Sequence, residues 1–390
     1  MQKKIRHVLL HIGGNEHGGL RSFTEELYNQ LVEENIKVTF LADRNEGYAK
    51  YVLSQGRKIE NRNTKRVNVF WFFPKINALV HLIFVFIQGK LHAKKIAEIL
   101  KRFNPDLIIG CGLYSAGAIG PAVAISNHSL VVGQHTVPNE NDIFNLRRTI
   151  TCYFFNKYCN KIVGVSKQAI EVYVPSLTID YDVVYNCVEK IKESNVKRDQ
   201  FRRTYNVKGD SLVIGTACRI TQARGIDIFV SAAIQFLKKN KSKKIVFVIA
   251  GDAPYKKDKI FLDRILKEIE SSGYGCFVKY IGFVDMSHFI NGIDIYCHTL
   301  SKGVESFGLS IFQSAFLNKP LILCKQGGYN ELLPLIIGLR YNKESASELS
   351  LCLEKVSDVK WISEQRENLK NIDLSIVSDK KKWINKWIGV

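Results

Sequence analysis

Short runs of Val, Ile and other apolar residues recur along this chain, separated by helical patterns. In the first half the runs are HVLLHIG, IKVTFLAD, DLIIGCG, LVVGQHT, KIVGVS and DVVYN. Continuous rather than alternating hydrophobicity is typical of parallel strands that are covered by helices on both faces. After a polar interval the pattern restarts with LVIGTACR, KIVFVIAGD, FVKYIGF, IDIYCHTL and PLILCK. The sequence therefore predicts two doubly wound α/β domains, with candidate ligand sites at the carboxyl ends of the strands.

The size and charge of the chain restrict its partners. Its 390 residues are too many for one ordinary hydrophobic core and indicate two domains. Its net charge of +19 is distributed over both halves. Such a surface favours an anionic partner, whether phospholipid, nucleotide or nucleic acid, and a lysine-rich solvated surface is the alternative. Because no basic stripe carries interleaved aromatic residues, we expect no nucleic-acid partner.

The nine cysteines are scattered, without CxxC or metal-finger spacing. This usage predicts buried, reduced thiols in a cytosolic protein. The apolar run in the N-terminal stretch MQKKIRHVLLHIGG is too short for a signal peptide and leads into a strand followed by glycines, so we expect no export.

The most apolar stretch is VNVFWFFPKINALVHLIFVFIQGK. Pro74 interrupts it, and the unbroken part, residues 78–87, is shorter than the ~20 residues that span a bilayer. A helix here either lies on a membrane through its apolar face or is buried in a core. That face is predicted to comprise Leu79, Leu82, Ile83 and Phe86.

The C-terminal stretch KKKWINKWIGV combines lysines with two tryptophans four residues apart, Trp383 and Trp387. On a helix this spacing places both rings on one face. We predict that this face packs on protein, and contact with an anionic membrane is the alternative.

The first strand is followed by HIGGNEHGGLRSF, which contains Gly13, Gly14, Gly18 and Gly19. Glycines in a strand-to-helix turn let backbone amides approach a phosphate, although a flexible turn is the alternative interpretation. The spacing is not G-x-G-x-x-G, which disfavours a nicotinamide enzyme.

Two arginines follow a strand of the second series. In ACRITQARGID, Arg219 and Arg224 are five residues apart, and Gly225 opens the next helix. Two guanidinium groups in one loop can grip a diphosphate, and a surface arginine pair is the alternative. Gly251 lies in another strand-end turn, GDAP.

The stretch VESFGLSIFQSAF begins as a turn and continues as a helix. Amides near Gly308 and Leu309 would carry the positive end of the helix dipole and could bind a phosphate. Glu305 precedes this start and would accept hydrogen bonds from sugar hydroxyls, whereas a helix cap or a surface carboxylate is the alternative. Gln313 follows in the helix, within reach of a ribose.

Taken in order, these motifs resemble the retaining glycosyltransferases of family four. The matching motifs are GGLRSFTEEL, QHT, VGVS, YNCVE, RITQARG, AGDAP, YIGFV, ESFGLSIFQ and GGYNE. They extend from about residue 8 to residue 335, and their order is far more specific than any single motif.

The resemblance implies a GT-B fold, in which two Rossmann-like domains face each other across a cleft. It places the acceptor mainly in the first domain, residues 1–186, and the nucleotide sugar mainly in the second, residues 187–373. A C-terminal helix within residues 374–390 would return to the first domain.

The resemblance also implies roles for individual residues. Arg219 and Arg224 would hold the donor diphosphate, with Arg224 standing where the family usually has Lys. Glu305 would bind hydroxyls of the donor sugar, and His135 would reach the transferred sugar. Further donor contacts are implied for Gly18, Gly19, Gly251, Phe283, Val284, Ser306, Phe307, Gly308 and Leu309. Among these, Phe283 and Val284 would flank the nucleobase.

The sequence departs from the family at Gln313, because the family motif has a second Glu seven residues after the first. An amide can still bond a ribose, so this departure bears on donor affinity and nucleotide preference rather than on activity as such.

The implied activity is the metal-independent transfer of a sugar from a UDP- or GDP-linked donor. The implied acceptor is a glycan or lipid-linked glycan of a bacterial surface polysaccharide. We expect a cytoplasmic protein with no cofactor, and peripheral association with the inner face of the cytoplasmic membrane is the alternative. The alternatives are a nucleotide-sugar isomerase or epimerase and a catalytically silent sugar-nucleotide binder.

Overall fold

The computed structural model describes residues 4–13, 18–42, 47–57, 59–61, 74–137, 146–240 and 244–389. The chain divides into two compact units. Unit 1 comprises residues 1–187 together with 379–390, and unit 2 comprises residues 188–378.

Unit 1 is built on a parallel sheet whose strand order is β3-β2-β1-β4-β5-β6-β7. The strands are β1 (His7–Ile12), β2 (Lys37–Ala42), β3 (Ile59–Asn61), β4 (Leu107–Cys111), β5 (Leu130–Gln134), β6 (Lys161–Gly164) and β7 (Asp180–Val183). Every residue of β1, β4 and β5 is buried, as the continuous apolar runs predicted.

Helices connect the strands of unit 1. They are α1 (Gly19–Glu33), α2 (Gly47–Ser54), α3 (Pro74–Leu91), α4 (Ala93–Phe103), α5 (Ser115–Ser126), α6 (Leu146–Tyr158) and α7 (Lys167–Ile170). Asn104 and Asn127 end α4 and α5 in the left-handed conformation, which asparagine tolerates better than most residues.

Unit 2 repeats this architecture with the strand order β10-β9-β8-β11-β12-β13, again all parallel. The strands are β8 (Leu212–Ala217), β9 (Ile245–Ala250), β10 (Val278–Tyr280), β11 (Ile295–Cys297), β12 (Leu321–Cys324) and β13 (Leu339–Tyr341). The helices are α8 (Asn195–Thr204), α9 (Ile226–Lys239), α10 (Lys256–Ser271), α11 (Met286–Gly292), α12 (Leu309–Phe316), α13 (Ala346–Lys355) and α14 (Val359–Asn371).

Strand order reverses between β1 and β4 in unit 1 and between β8 and β11 in unit 2. Loops that leave the carboxyl ends of these strands therefore diverge and leave room for a ligand. The predicted α/β fold with two Rossmann-like domains is confirmed.

The last helix, α15 (Lys380–Ile388), belongs to unit 1 although it follows unit 2 in sequence. Trp383 and Trp387 are buried against Phe23 of α1, with ring centroids 5.8 and 5.1 Å from the Phe23 ring. Asp379 caps the helix by accepting from the amide of Lys382 at 2.9 Å. The prediction that both tryptophans pack on protein is confirmed.

Two further predictions concern burial and membrane spans. All nine cysteines lie among the described residues and none forms a disulfide, and all except Cys218 and Cys276 are buried. In the parts of the chain that the structure describes, no helix is long and apolar enough to cross a membrane.

Replacing Trp387, which is fully buried, tests the anchoring of α15. We expect Trp387→Ala to lower the stability of unit 1 by about 3–5 kcal/mol, because it removes a large apolar side chain and leaves a cavity. Hydrogen exchange in both units provides the measurement: exchange should accelerate in α1 and β1 and stay unchanged in β8 and β9. Lys386→Ala, on the exposed side of the same helix, is the control. Unchanged exchange in α1 would contradict this packing.

Candidate active site

Two loops of unit 2 meet at the reversal point of its sheet. One follows β8 and contains residues 218–225, and the other follows β11 and contains residues 298–308. The amide of Ser301 donates to the carbonyl of Ala223 at 3.1 Å, and the Thr299 hydroxyl donates to the carbonyl of Arg224 at 2.8 Å. These bonds fix the two loops against each other.

Gly225 is required where the loops touch. It has φ +66° at the start of α9, and a Cβ atom there would lie 2.8 Å from the carbonyl carbon of Leu300. A side chain would force the loops apart, so the predicted glycine at the helix start has a packing reason as well as a conformational one.

The contact between the loops places Arg224 beside Glu305, and Nη1 of Arg224 forms an ion pair with Oε2 of Glu305. Nε2 of His298 lies 3.7 Å from the same oxygen. The side chains of Arg224, Glu305 and His298 are 28%, 16% and 6% exposed. Three ionisable groups thus share one sheltered position.

The charges of this cluster determine its protonation. Burial by itself raises the pKa of Glu305, but the Arg224 guanidinium and the His298 ring outweigh burial and hold it well below its usual value. Burial and the nearby Arg224 lower the pKa of His298, although Glu305 opposes them. The cluster therefore contains a carboxylate, a guanidinium and a neutral imidazole at neutral pH.

His298 is a candidate site residue that the sequence analysis missed. It is the first residue after β11, in the run IDIYCHTL. Its position, a polar residue at the carboxyl end of an apolar strand, could have identified it as a candidate. Its carbonyl accepts from the Tyr341 hydroxyl at 3.2 Å, and its ring meets the Tyr329 ring edge-on at a centroid distance of 5.3 Å. These contacts hold the imidazole towards Glu305.

Helix α12 begins beside this cluster. Gly308 has φ +87° and precedes Leu309, the first helical residue, whereas Phe307 is buried and stacks on Phe312 at 4.7 Å. The carbonyl of Glu305 accepts from the amide of Gly328 at 2.8 Å. Because the first amides of a helix have no intrahelical acceptor, this end presents a partial positive charge.

Ser306 and Gln313 complete the predicted residues of this segment. Ser306 lies between Glu305 and Phe307 in the same loop and is partly exposed. Gln313 lies four residues into α12, one turn beyond Leu309, and its side chain is partly exposed. Both belong to the segment that carries Glu305 into the helix start.

Gly251 supports the loop that carries Arg219. Its φ is +144°, and a Cβ atom there would overlap the carbonyl oxygen of Cys218. The amide of Ile220 donates to the carbonyl of Asp252 at 2.9 Å, which fixes the loop beside β9. Arg219 itself is exposed.

Phe283 and Val284 lie on the loop between β10 and α11. This loop is tied to the Gly251 turn, since the amide of Gly251 donates to the carbonyl of Gly282 at 2.8 Å. Phe283 is 82% exposed, whereas Val284 is partly covered. An exposed phenyl ring fixed beside a strand-end turn can stack on a planar ligand.

The remaining predicted residues belong to unit 1. Gly18 has φ +66° and precedes α1, which begins at Gly19, and Gly14 lies outside the described residues. His135 follows β5, and its ring lies 4.2 Å from that of Phe23 on α1. Burial lowers the pKa of His135 to about 3, so its imidazole is neutral at physiological pH.

Among the described residues, no group of three or more His, Cys, Asp or Glu side chains is placed to hold a metal ion. The sequence contains one Asp-x-Asp spacing, Asp180 to Asp182 on β7 of unit 1. Asp182 lies 3.7 Å from the ammonium group of Lys161.

Two family models match consecutive parts of the chain. The model described as Glycosyltransferase Family 4 matches residues 17–190, and the model described as Glycosyl transferases group 1 matches residues 197–372. The chain belongs to the group 1 glycosyltransferases. The predicted resemblance to this family is confirmed.

Known relatives agree with the family assignment. An O-antigen biosynthesis glycosyltransferase, WclY of Escherichia coli, is 27% identical over 166 residues, which are 42% of this chain and 43% of WclY. A Bacillus cereus N-acetylglucosamine transferase that acts on N-acetylmuramyl-(pentapeptide) pyrophosphoryl-undecaprenol is 26% identical over 219 residues, 55% of this chain and 53% of that protein. The chain thus spans about half the length of these relatives, or less.

Solved structures share the fold over almost the whole chain. HepE of Anabaena, crystallised with UDP and glucose, superposes with a TM-score of 0.79 at 17% identity, covering 99% of this chain and 98% of HepE. WaaG, a glycosyltransferase involved in lipopolysaccharide biosynthesis, gives a TM-score of 0.70 at 12% identity, covering 98% of this chain and 100% of WaaG. The predicted GT-B fold is confirmed.

The lowered pKa of His135 predicts a pH dependence of stability. Between about pH 6.5 and pH 3 the unfolded chain binds a proton at this residue and the folded chain does not, so stability falls as the pH falls. From pH 7 to pH 5 the expected loss is about 2 kcal/mol. His135→Gln should remove this contribution, as measured by urea denaturation at both pH values.

His92→Gln, which replaces a partly exposed histidine at the start of α4, is the matched control and should lose stability between the two pH values as the wild type does. An identical loss of stability in His135→Gln and the wild type would show that the His135 ring is not protected from protonation.

Proposed function

We propose that this chain is a retaining, metal-independent hexosyltransferase. It moves a sugar from a nucleotide-sugar donor to a glycan or lipid-linked glycan in the synthesis of a bacterial surface polysaccharide. The family assignment and the O-antigen relative support the reaction class and the pathway type. The observation that carries the proposal is the cluster of Arg224, Glu305 and His298 beside the start of α12.

Arg219 and Arg224 are assigned to the donor diphosphate. A guanidinium has five N–H donors in a fixed fork, so Arg224 can bond Glu305 and still present donors to a phosphate. Glu305 then serves to hold this guanidinium in position. Arg219 is exposed, and no side chain in the described parts of the chain supports it in this way, so it contributes as a charge that closes on the bound diphosphate.

The nucleoside is assigned to the loop between β10 and α11, which is bonded to the Gly251 turn. Phe283 and Val284 would flank the base, and the exposed phenyl ring supports stacking. Gln313 would bond the ribose through its amide, in place of the family's carboxylate. The donor is therefore proposed to be a UDP- or GDP-linked sugar, and the HepE complexes with UDP and UDP-glucose favour UDP.

Glu305 is assigned to the donor sugar. Its lowered pKa keeps it ionised at neutral pH, so it acts as an acceptor for hydroxyl groups and not as a general acid. A fixed carboxylate also stabilises the positive charge that develops on the sugar ring as the diphosphate leaves.

Retention is proposed to follow from departure and attack on the same face of the sugar. The protein's main task is then to stabilise the leaving diphosphate, for which Arg219, Arg224 and the amides of Phe307, Gly308 and Leu309 are positioned on two adjoining loops. In other enzymes the removal of one such donor costs roughly 3–4 kcal/mol of transition-state stabilisation. These groups provide the positive charge that a divalent cation would otherwise supply, and no cofactor is proposed.

The acceptor is assigned to unit 1. Gly18 and Gly19, which begin the first turn of α1, keep their proposed role towards the donor diphosphate, and the neutral ring of His135 is proposed to bond a hydroxyl of the transferred sugar without introducing charge. A lipid-linked acceptor would place the reaction on the cytoplasmic face of the membrane, and we propose a peripheral association there.

Glu305→Gln tests the assignment. The amide preserves the shape and an acceptor for Arg224 but removes the charge, so we expect turnover to fall by about 100-fold or more while the protein stays folded. The melting temperature should fall as well, because the sheltered Arg224 guanidinium loses its charged partner. Glu270→Gln, at an exposed position on α10, is the control. Turnover should be followed with UDP-glucose as donor by release of UDP in the presence of a glycan acceptor.

Three outcomes would contradict the proposal. Wild-type turnover in Glu305→Gln would remove this carboxylate from the site. Formation of an epimer or isomer of the donor sugar without acceptor would identify a nucleotide-sugar isomerase, whereas donor binding without any turnover would identify a silent binder.

A further inference from the structure

Helix α3 of unit 1 exposes a row of aliphatic side chains. Val80, Ile83, Ile87 and Leu91 are 40%, 40%, 47% and 70% exposed. They are separated by three, four and four residues, so they form one continuous stripe on the helix, which we term the α3 stripe. At 1.5 Å per residue the stripe is about 17 Å long.

The rest of α3 is anchored in unit 1. Leu82 is fully buried, and the Phe86 ring stacks on that of Phe154 in α6 at 4.5 Å. Of the two alternatives for this predicted face, packing in a core therefore holds for Leu82 and Phe86, and only Ile83 of the predicted set is well exposed. The α3 stripe lies on the side of the helix that does not pack against unit 1.

The neighbouring helix α6 extends the exposed surface. Leu146 and Tyr153 are 43% and 50% exposed, and the Lys157 ammonium group donates to the Tyr153 hydroxyl at 2.7 Å. On α3, the Lys90 ammonium group lies 4.8 Å from the centre of the Phe86 ring. Aliphatic side chains thus lie beside a tyrosine and two lysines.

The charges of this surface have one sign. The segment 74–91 contains two lysines and the segment 146–158 contains two arginines and a lysine, whereas neither contains an aspartate or a glutamate. Large exposed apolar patches usually mark an interaction surface, and a surface of cations around aliphatic groups is complementary to anionic headgroups above acyl chains. A second copy of the chain fits less well, since symmetric contact through these helices would bring cations together without carboxylates.

We propose that α3 and α6 dock on a bilayer that contains anionic phospholipids. The α3 stripe enters the boundary between headgroups and acyl chains, and Lys90 and Lys157 meet lipid phosphates. The helix lies in the plane of the interface and does not cross the bilayer. Only the use of this docking surface rests on the proposed function: docking would bring the enzyme to a lipid-linked acceptor.

Vesicle flotation tests the apolar part of the surface. Full-length protein is mixed with vesicles of phosphatidylcholine containing about a third phosphatidylglycerol, and the bound fraction is measured against lipid concentration. We expect Ile83→Ser/Ile87→Ser/Leu91→Ser to weaken binding about tenfold or more, because three exposed aliphatic groups no longer enter the interface.

The matched control removes three exposed aliphatic side chains of unit 2, Leu335→Ser/Ile336→Ser/Val359→Ser. It should bind vesicles as the wild type does. Equal loss in the control and the stripe variant, or no binding of the wild type to anionic vesicles at low salt, would overturn the proposal.

Charge reversal tests the cationic part. Lys90→Glu/Lys157→Glu should weaken binding about tenfold or more at low salt and much less at high salt, where the attraction is screened. The control pair Lys259→Glu/Lys267→Glu lies on the exposed side of α10 in unit 2. A decrease of the same size in the control pair would mean that binding follows net charge alone.

Hydrogen exchange of the wild type provides a measurement that needs no variant. Anionic vesicles should slow amide exchange in residues 79–91 and 146–157 and leave unit 2 unchanged. Protection of these helices in concentrated protein without lipid, together with a dimer in sedimentation, would identify a second copy as the occupant and overturn the proposal.

Failure of the membrane-docking proposal can be distinguished from failure of the proposed function. The stripe variant should retain UDP-glucose affinity and turnover with a short acceptor analogue that carries no lipid. If transfer fails in the wild type while vesicle binding persists and depends on the stripe, the proposed reaction is wrong and the docking surface stands.

Discussion

The ion pair between Arg224 and Glu305 is the interaction on which the candidate site depends. It joins the loop after β8 to the loop after β11, and Thr299 and Ser301 reinforce the junction through the backbone of the first loop. Since Glu305 is only 16% exposed, removing its partner would leave a sheltered charge uncompensated. The pair therefore fixes the geometry of the site and the charge state of each member.

The sheet determines where this pair forms. β8 and β11 are neighbours in the sheet although about 80 residues separate Arg224 from Glu305, and the loops that follow them leave the same edge. Glycines then allow the close approach: Gly225 beneath Leu300, and Gly308 at the start of α12 beside Tyr329. Electrostatic preorganisation of this kind places charge before a substrate binds, so no reorganisation is needed during the reaction.

The features that depend on local sequence patterns could be predicted from the sequence. Continuous apolar runs identified the parallel strands, and strand-end motifs identified Arg224, Glu305 and the start of α12. The sequence did not predict His298, whose role depends on a contact across two loops, nor which side of α3 is exposed, because hydrophobic periodicity does not distinguish a face that packs on α5 and α6 from one that meets solvent. The packing of Phe86 on Phe154 decides that question and is visible only in the fold.

Calorimetric titration of UDP-glucose into the wild type and Arg219→Ala tests most directly whether the two loops bind the donor diphosphate. Arg219 is exposed, so its loss should not disturb the Arg224–Glu305 pair or the fold. We predict that Arg219→Ala weakens binding by about 2 kcal/mol, or roughly 30-fold, through loss of a charge-assisted contact with the diphosphate. Arg264→Ala on α10, another exposed arginine, should bind as the wild type does. Equal affinity in all three proteins would show that the diphosphate does not bind at these loops.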